Sequence, residues 1–525
     1  MTRAANEGDP MDLADRLRAV LGLDPEAPAV EFEDRWYSWG ELAALMQDID
    51  AALTDAGIGE DAAIAVMLRN RPSLLGAMIS VITSRRCVLT VNAIQGASKL
   101  AGELEGLRAP ALIGHADDWA VSGLPQVAER VGCLGIEVHE APKLGMRVLP
   151  GLEALGTGPH HEPLPGVAVQ MLTSGTTGEP KRVALRLAAL EQSLASAARY
   201  ESKGGSDEPQ LRSGVVLMPN PLVHVGGIFR AGGALYSGRR ISMMERFDVD
   251  QWHELVRRHR PKVASLVPAA VKMVLDAEFP PEDLSSLRIV SATAEAFEGR
   301  YGVPVLTTYG ATEFAGGVAG WTLRDYKEHA KAKRGSVGRA NAGVALQIVD
   351  QDSGEVLAPD EVGLLEVKTG QHSQQLGWVR TTDLARLDAD GFLWVVGRAD
   401  GAINRGGFKL LPGEIEKVLE QHPSIAEVSV VGIEDPRLGE VPVAAVVLRE
   451  AAPNIDEAEL VRFAAEHLTG YQRPTRYRIV EALPRTPSMK VSQPEVRRLF
   501  ESSGRASETE RVCPSTNSST NSSTN

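Results

Sequence analysis

The stretch MLTSGTTGEPKRVAL, residues 171–185, gathers groups that suit a polyphosphate. Gly175 and Gly178 let backbone N–H groups turn toward one point, while Thr173, Ser174, Thr176 and Thr177 add hydroxyl donors and Lys181 adds a cation on a flexible stem. Alone, such a cluster reads equally well as a surface loop, so its companions decide. Other signatures are missing: the chain has no GxxxxGK[ST] loop, no GxSxG elbow and no HExxH. His253 and His259 in HELVRRH stand six apart and do not share one helical face, which favours a solvated helix over a metal site.

The elements that would hold this loop alternate between helix and strand. ELAALMQDIDAALTDAGI (41–58) has apolar spacings of three and four and a glycine stop, so it predicts a helix. AAIAVML (62–68) predicts a buried strand, RPSLLGAMISVITSRR a second helix and CVLTVN a second strand. This alternation implies parallel sheets flanked by helices over roughly the first 395 residues. GRADGAINRGG (397–407) interrupts it, and shorter elements follow, as expected of a small second domain on a hinge. The expected boundaries are 1–399, 400–500 and a disordered polar tail at 501–525 ending in STNSSTNSSTN.

Composition narrows the partners. The 525 residues are 43% hydrophobic and 24% charged, an ordinary globular balance with room for a large core. The longest apolar run, VPVAAVVL at 441–448, has strand length and falls short of a membrane span. MTRAANEGDPMDL lacks the apolar core of a signal peptide, which makes the cytosol the expected compartment. A net charge of −14 has the wrong sign for a general nucleic-acid binder. Cys87, Cys133 and Cys513 form no CxxC pair; for the first two, apolar packing is the expected role.

Four further stretches accompany the loop in order: PNPLVHVGG (219–227), TYGATEF (308–314), RTTDLARLDADGFLWVVGRADGAINRGGFKLLPGEIE (380–416) and LPRTPSMK (483–490). Together with residues 171–185 they resemble the adenylate-forming superfamily of acyl-CoA synthetases, peptide-synthetase adenylation domains and luciferases, from about Tyr37 to Phe500, most closely the acyl-CoA ligases. The resemblance implies an α/β fold, with a large N-terminal domain of doubly wound sheets plus a distorted barrel and a small mobile α+β C-terminal domain. It implies that residues 173–181 close over the β- and γ-phosphates of ATP. Tyr309, with Gly310, Ala292 and Thr293, would line adenine; Thr312 would bond the α-phosphate and Glu313 would hold Mg²⁺. Asp383 would accept both ribose hydroxyls, with Arg398 on the other side. Lys490 would bridge carboxylate and α-phosphate, a contact at about 4 Å contributing roughly 4 kcal/mol at an effective dielectric near 20. Asp400 would be the pivot that exchanges Lys490 for the CoA-binding segment with Gly406, Gly407 and Lys409. His224 would gate between the acid and CoA sites, and Val225, Gly226, Gly227, Ile228 and Ala311 would wall the acyl pocket.

Several family glycines are replaced. Arg182 follows the loop lysine, Met489 precedes the terminal one, the TGDL element reads Thr381-Thr382-Asp383-Leu384, and SATAEA (291–296) stands for the adenine-lining SGGAPL. The acyl wall is small and apolar with no cation, which favours a bulky aromatic, alicyclic or medium-chain monoacid. The expected function is an ATP-, Mg²⁺- and CoA-dependent carboxylic acid:CoA ligase. Three alternatives stay open: an enzyme that only takes a preformed acyl-adenylate to the thioester, one that loads a carrier-protein phosphopantetheine, and a non-catalytic acyl-nucleotide binder. The oligomeric state is open too, a homodimer included.

Overall fold

A computed structural model describes residues 12–93, 97–173, 181–202, 208–291, 295–311, 314, 316–369, 377–399, 401–405, 408–449, 455–486 and 489–501. The helix expected at 41–58 runs Trp39–Asp55. It starts two residues early because Ser38 and Glu41 form a capping box: the Ser38 hydroxyl accepts from the Glu41 N–H at 3.1 Å and the Glu41 carboxylate accepts from the Ser38 N–H at 2.8 Å. Trp39, Leu42, Leu45, Ile49 and Leu53 form its buried face. The second expected helix is Pro72–Thr83, with proline in its first turn and almost every side chain buried.

These helices cover a seven-stranded sheet in the order Gly145–Val148, Leu134–His139, Ala111–His115, Ala63–Leu68, Cys87–Asn92, Val167–Thr173, Lys181–Arg186. Ala63–Leu68 pairs in parallel with Cys87–Asn92 on one side and Ala111–His115 on the other, so successive strands are wound in opposite directions from a central one. The strands are apolar on both faces because both faces are covered. One face packs against the two helices just described; the other carries Leu100, Leu104, Trp119 and Leu124. Cys87 and Cys133 are free thiols buried in that second layer, as expected, and burial pushes each up to about 12.

A four-stranded sheet (Arg212–Met218, Arg239–Met243, Pro28–Phe32, Arg35–Ser38) continues the α/β pattern, and Trp252 and Phe297 centre another core beside the parallel pair Val263–Ser265 and Ile289–Ser291. The expected distorted barrel does not close among the described residues. Its place is taken by a three-stranded sheet (Thr308–Ala311, Gly316–Gly320, Arg339–Ala340) and a four-stranded one (Val344–Val349, Gly363–Thr369, Val379–Leu387, Leu393–Arg398). Among the described residues an antiparallel bridge between Arg339 and Phe392 joins the two, and the outer strands Thr308–Ala311 and Val344–Val349 do not pair to seal a cylinder.

By contacts the described residues divide into two compact units, one made of those up to Thr381 with Ala385–Val395 and Met489, the other of those in Thr382–Leu384, Val396–Thr486 and Lys490–Glu501. The second unit holds a five-stranded sheet whose long hairpin pairs Ile425–Asp435 with Gly439–Leu448. The apolar run at 441–448 is this second strand. Val443 and Ala445 face a core with Val496 and Phe500, while Ala444 and Val446 face one with Ile415 and Leu460. Residues 502–525, where the polar tail is expected, lie outside the described residues. No helix among the described residues is long and apolar enough to cross a membrane.

Candidate active site

The hairpin of Val167–Thr173 and Lys181–Arg186 carries the Ser/Thr/Gly-rich loop. Its last pairs are Leu172 opposite Arg182 and Thr173 opposite Lys181, so the two ends of the loop are fixed side by side. Ser174, Gly175, Thr176, Thr177 and Gly178 lie outside the described residues. Arg182, which replaces a family glycine, is largely buried and sits 2.5 Å from Glu103 of the helix Ala97–Leu107. Burial pulls its guanidinium below the usual arginine range, and Glu103 opposes that pull.

From the hairpin the chain enters the helix Leu187–Ser202, which packs on both hairpin strands and on the helix Val225–Tyr236. His224 is the N-cap residue of that second helix; its carbonyl accepts from the N–H groups of Gly227 at 2.9 Å and Ile228 at 3.1 Å. The expected acyl wall divides. Gly226 faces open space, a Cβ on Gly227 would fall 2.1 Å from the Pro221 oxygen, and Ile228 turns into the main hydrophobic core. The preceding PNPL segment is held by Asn70, which donates to the Asn220 and Met244 carbonyls at 3.1 and 2.9 Å and accepts from the Leu222 N–H at 2.8 Å. Sequence reasoning missed Asn70: a lone asparagine after a strand carries no local signal that distinguishes it from a turn residue.

Phe229 on the same helix lies against Gly316, 3.8 Å from where a Cβ there would stand. Gly316 begins the strand paired with Thr308–Ala311, which carries Tyr309, Gly310 and Ala311. A Cβ on Gly310 would lie 2.2 Å from the Gly316 oxygen, so the close approach of these strands requires glycine. Hairpin, His224 helix and Tyr309 strand are thus linked through successive packing contacts. Ala292, Thr293, Thr312 and Glu313 lie outside the described residues.

In the second unit, Asp383 and Arg398 are brought together, the guanidinium Nε 4.0 Å from the carboxylate. Arg398 also donates to the Thr382 hydroxyl at 2.5 Å, and the Ala399 N–H donates to the Thr382 carbonyl at 2.7 Å. Thr382, another replaced glycine, therefore gives Arg398 a partner that glycine could not. Lys490 is exposed; the Thr486 N–H donates to the Lys490 carbonyl at 2.7 Å and Arg485 bridges Val491. Arg485 is tied to the sheet by Glu427, at 2.6 Å. Met489, which by contacts belongs to the first unit, has φ +64°, the left-handed region that favours glycine. Lys409 sits opposite Asn404 in a short hairpin; Asp400, Gly406 and Gly407 lie outside the described residues.

The histidines of HELVRRH lie on the helix Val249–His259 and go to different carboxylates, His253 to Asp283 at 2.9 Å and His259 to Glu31 at 2.6 Å. That helix is amphipathic, with Trp252, Leu255 and Val256 buried.

The family model of the AMP-binding enzymes matches residues 17–374, and that of the AMP-binding enzyme C-terminal domain matches residues 414–490. The chain belongs to the AMP-binding enzyme family. It is similar to an indoleacetate–CoA ligase of Aromatoleum aromaticum, 29% identical with 93% of this chain and 98% of that protein covered. Its fold matches that of o-succinylbenzoate CoA synthetase (MenE) from Bacillus subtilis in complex with its acyl-adenylate, at TM-score 0.72 and 24% identity over 92% of this chain and 97% of that one. It also matches the amide bond synthetase McbA from Marinactinospora thermotolerans, at TM-score 0.74 and 26% identity over 93% and 100%. This AMP-binding enzyme is of the acyl-CoA synthetase type, whose chemistry takes ATP, Mg²⁺ and CoA.

An acceptor-only carboxylate beside a guanidinium suits a vicinal diol, whose hydroxyls both donate and accept, and the Asp383–Arg398 pair supplies that combination. For Mg²⁺ the assigned ligand, Glu313, is outside the described residues, and no cluster of His, Cys, Asp or Glu able to hold a metal occurs among those described.

Proposed function

We propose that the chain is a carboxylic acid:CoA ligase acting on a bulky apolar monoacid in two half-reactions, and that its small unit turns between them about Asp400. In the first, a carboxylate oxygen attacks the α-phosphorus of ATP, the bond to pyrophosphate breaks, and the acyl-adenylate forms. In the second, the CoA thiol gives up its proton and attacks the acyl carbonyl, and the bond to AMP breaks. Lys490 neutralises the two anions that meet in the first step; Asp383 and Arg398 hold the ribose through both. The Thr173–Lys181 loop and Tyr309 fix the phosphates and adenine, Thr312 and Glu313 the α-phosphate and Mg²⁺, and Gly406, Gly407 and Lys409 the pantetheine arm.

The Asp383–Arg398–Thr382 constellation carries this reading, because it pairs a ribose-binding chemistry with a chain similar along almost its whole length to CoA ligases. The bulky apolar acid is supported by the open space at Gly226 in an uncharged segment and by similarity to ligases named for indoleacetate and 4-coumarate. A cytosolic setting goes with a reaction that consumes ATP and CoA. Strain at Met489, next to the adenylation lysine, favours one second reading, an enzyme confined to thioester formation from a preformed adenylate.

The test is a mass-spectrometric screen of acids with ATP and CoA, joined to exchange of labelled pyrophosphate into ATP and to thioester formation from synthetic acyl-adenylates. Exchange plus acyl-CoA supports the full ligase. Thioester without exchange selects the second reading, and product only with a phosphopantetheine-bearing protein or an amine changes the acceptor. No product by any route would leave a nucleotide binder.

A further inference from the structure

We propose that the Arg182–Glu103 ion pair is a clamp that positions the two ends of the phosphate loop, and so serves the adenylation half-reaction rather than thioester formation. This rests on the phosphate-binding reading of residues 173–181. Cys87–Asn92 pairs in parallel with Val167–Thr173, Val88 opposite Val169 and Leu89 opposite Gln170. Met171, Leu172 and Thr173 pair with the other arm of the hairpin, and Lys181–Arg186 is the last strand of the sheet. The Arg182 guanidinium reaches back and donates to the Thr90 carbonyl at 3.3 Å and the Gln170 carbonyl at 3.4 Å, one on each of the paired strands. Its other terminal nitrogen meets Glu103 at 2.5 Å, with side chains only 16% and 13% exposed.

One side chain thus ties the two arms of the hairpin to each other, to the neighbouring strand Cys87–Asn92 and to a helix, next to the Thr173–Lys181 pair. The planar fork of arginine is needed for this; the single ammonium of lysine cannot span two carbonyls and a carboxylate, and glycine offers nothing. A buried ion pair is weak evidence for stability, and its better-attested use is to specify geometry. Here the geometry specified is where loop donors meet the β- and γ-phosphates, groups present in ATP and absent from an acyl-adenylate.

The test compares the full chain with Arg182→Lys, Glu103→Gln and the apolar double variant Arg182→Met/Glu103→Leu, the last chosen because apolar replacement of a buried pair is commonly tolerated. The expected result is faster amide hydrogen exchange in peptides spanning 167–173 and 181–186, and a KM for ATP in pyrophosphate exchange raised about tenfold to a hundredfold. Thioester formation from synthetic acyl-adenylate should be unchanged, and Arg182→Lys should fall between parent and double variant. Equal loss of both half-reactions would reduce the pair to a structural contact, and unchanged hairpin exchange would overturn the clamp. If the parent protein exchanges no pyrophosphate with any acid, the adenylation reading fails instead. Hydrogen exchange, with calorimetric titration of ATP, still decides the clamp.

Discussion

Glu416 links pH to the stability of the second unit. It lies on the helix Pro412–Leu419, and its carboxylate accepts from the Val430 N–H at 2.7 Å. Burial raises it from an ordinary value of 4.5 to about 7; Glu420 pushes it the same way, and the Val430 N–H works against the rise. Because the folded form holds the proton more tightly than the unfolded chain, no penalty exists below pH 4.5. The penalty grows as pH rises through the window from 4.5 to about 7 and is full above it. The whole window corresponds to about 3 kcal/mol at 1.36 kcal/mol per unit, and partial contact with solvent trims this to roughly 2 kcal/mol. For a unit of about 100 residues that is roughly 10 °C in Tm. Calorimetric scans at pH 5 and pH 8 should therefore show the second unit less stable at the higher pH, and Glu416→Gln, which keeps an acceptor for Val430, should remove most of the difference. A variant whose stability falls between pH 5 and pH 8 as steeply as the parent's would refute the assignment.

Three other outcomes are expected. Lys490→Ala should lower pyrophosphate exchange by about two orders of magnitude or more while sparing thioester formation from synthetic adenylate; equal loss of both would remove the role given to Lys490. Met489→Gly should relieve about 1 kcal/mol of left-handed strain, offset in part by the roughly 0.5 kcal/mol that glycine costs through the unfolded chain, so exchange should rise and thermal stability should hold or rise slightly. A drop in both would mean that the Met489 side chain is needed where it stands. Gly310→Ala, whose Cβ would lie 2.2 Å from the Gly316 oxygen, must displace the Tyr309 strand. AMP affinity measured by titration should fall about tenfold or more, and unchanged affinity would separate Tyr309 from the adenine site.

Long periodic segments were legible because their pattern and burial agree. The run at 441–448 is apolar throughout since Val443 and Ala445 serve one core and Ala444 and Val446 the other. Helix ends were less legible: the Trp39 start depends on a side-chain box between Ser38 and Glu41, not on periodicity. The barrel was carried by resemblance, and strand closure is a long-range property that no local pattern encodes. Within the site, Asp383 and Arg398 could be paired from motifs, but Asn70 and Glu103 act across sequence separations of 150 and 79 residues, where one sequence offers no signal. Ile228 was assigned to the acyl wall with its neighbours, yet helical geometry turns it into the core two positions after Gly226 meets open space.

The replaced glycines are not equivalent, and backbone conformation tells them apart. Arg182 and Thr382 lie in strands and are not among the residues with positive φ, so a side chain there costs little conformationally. Each spends its side chain on a new contact, Arg182 on Glu103 and two carbonyls, Thr382 on Arg398. Met489 is different. Its φ of +64° is a conformation for which glycine is suited, and the strain falls on the residue before Lys490. If adenylation is impaired in this chain, the defect should therefore reside at 489 and yield to Met489→Gly, whereas Arg182→Gly or Thr382→Gly should make the enzyme worse. Improvement from Arg182→Gly or Thr382→Gly would show that those contacts hinder the site they appear in.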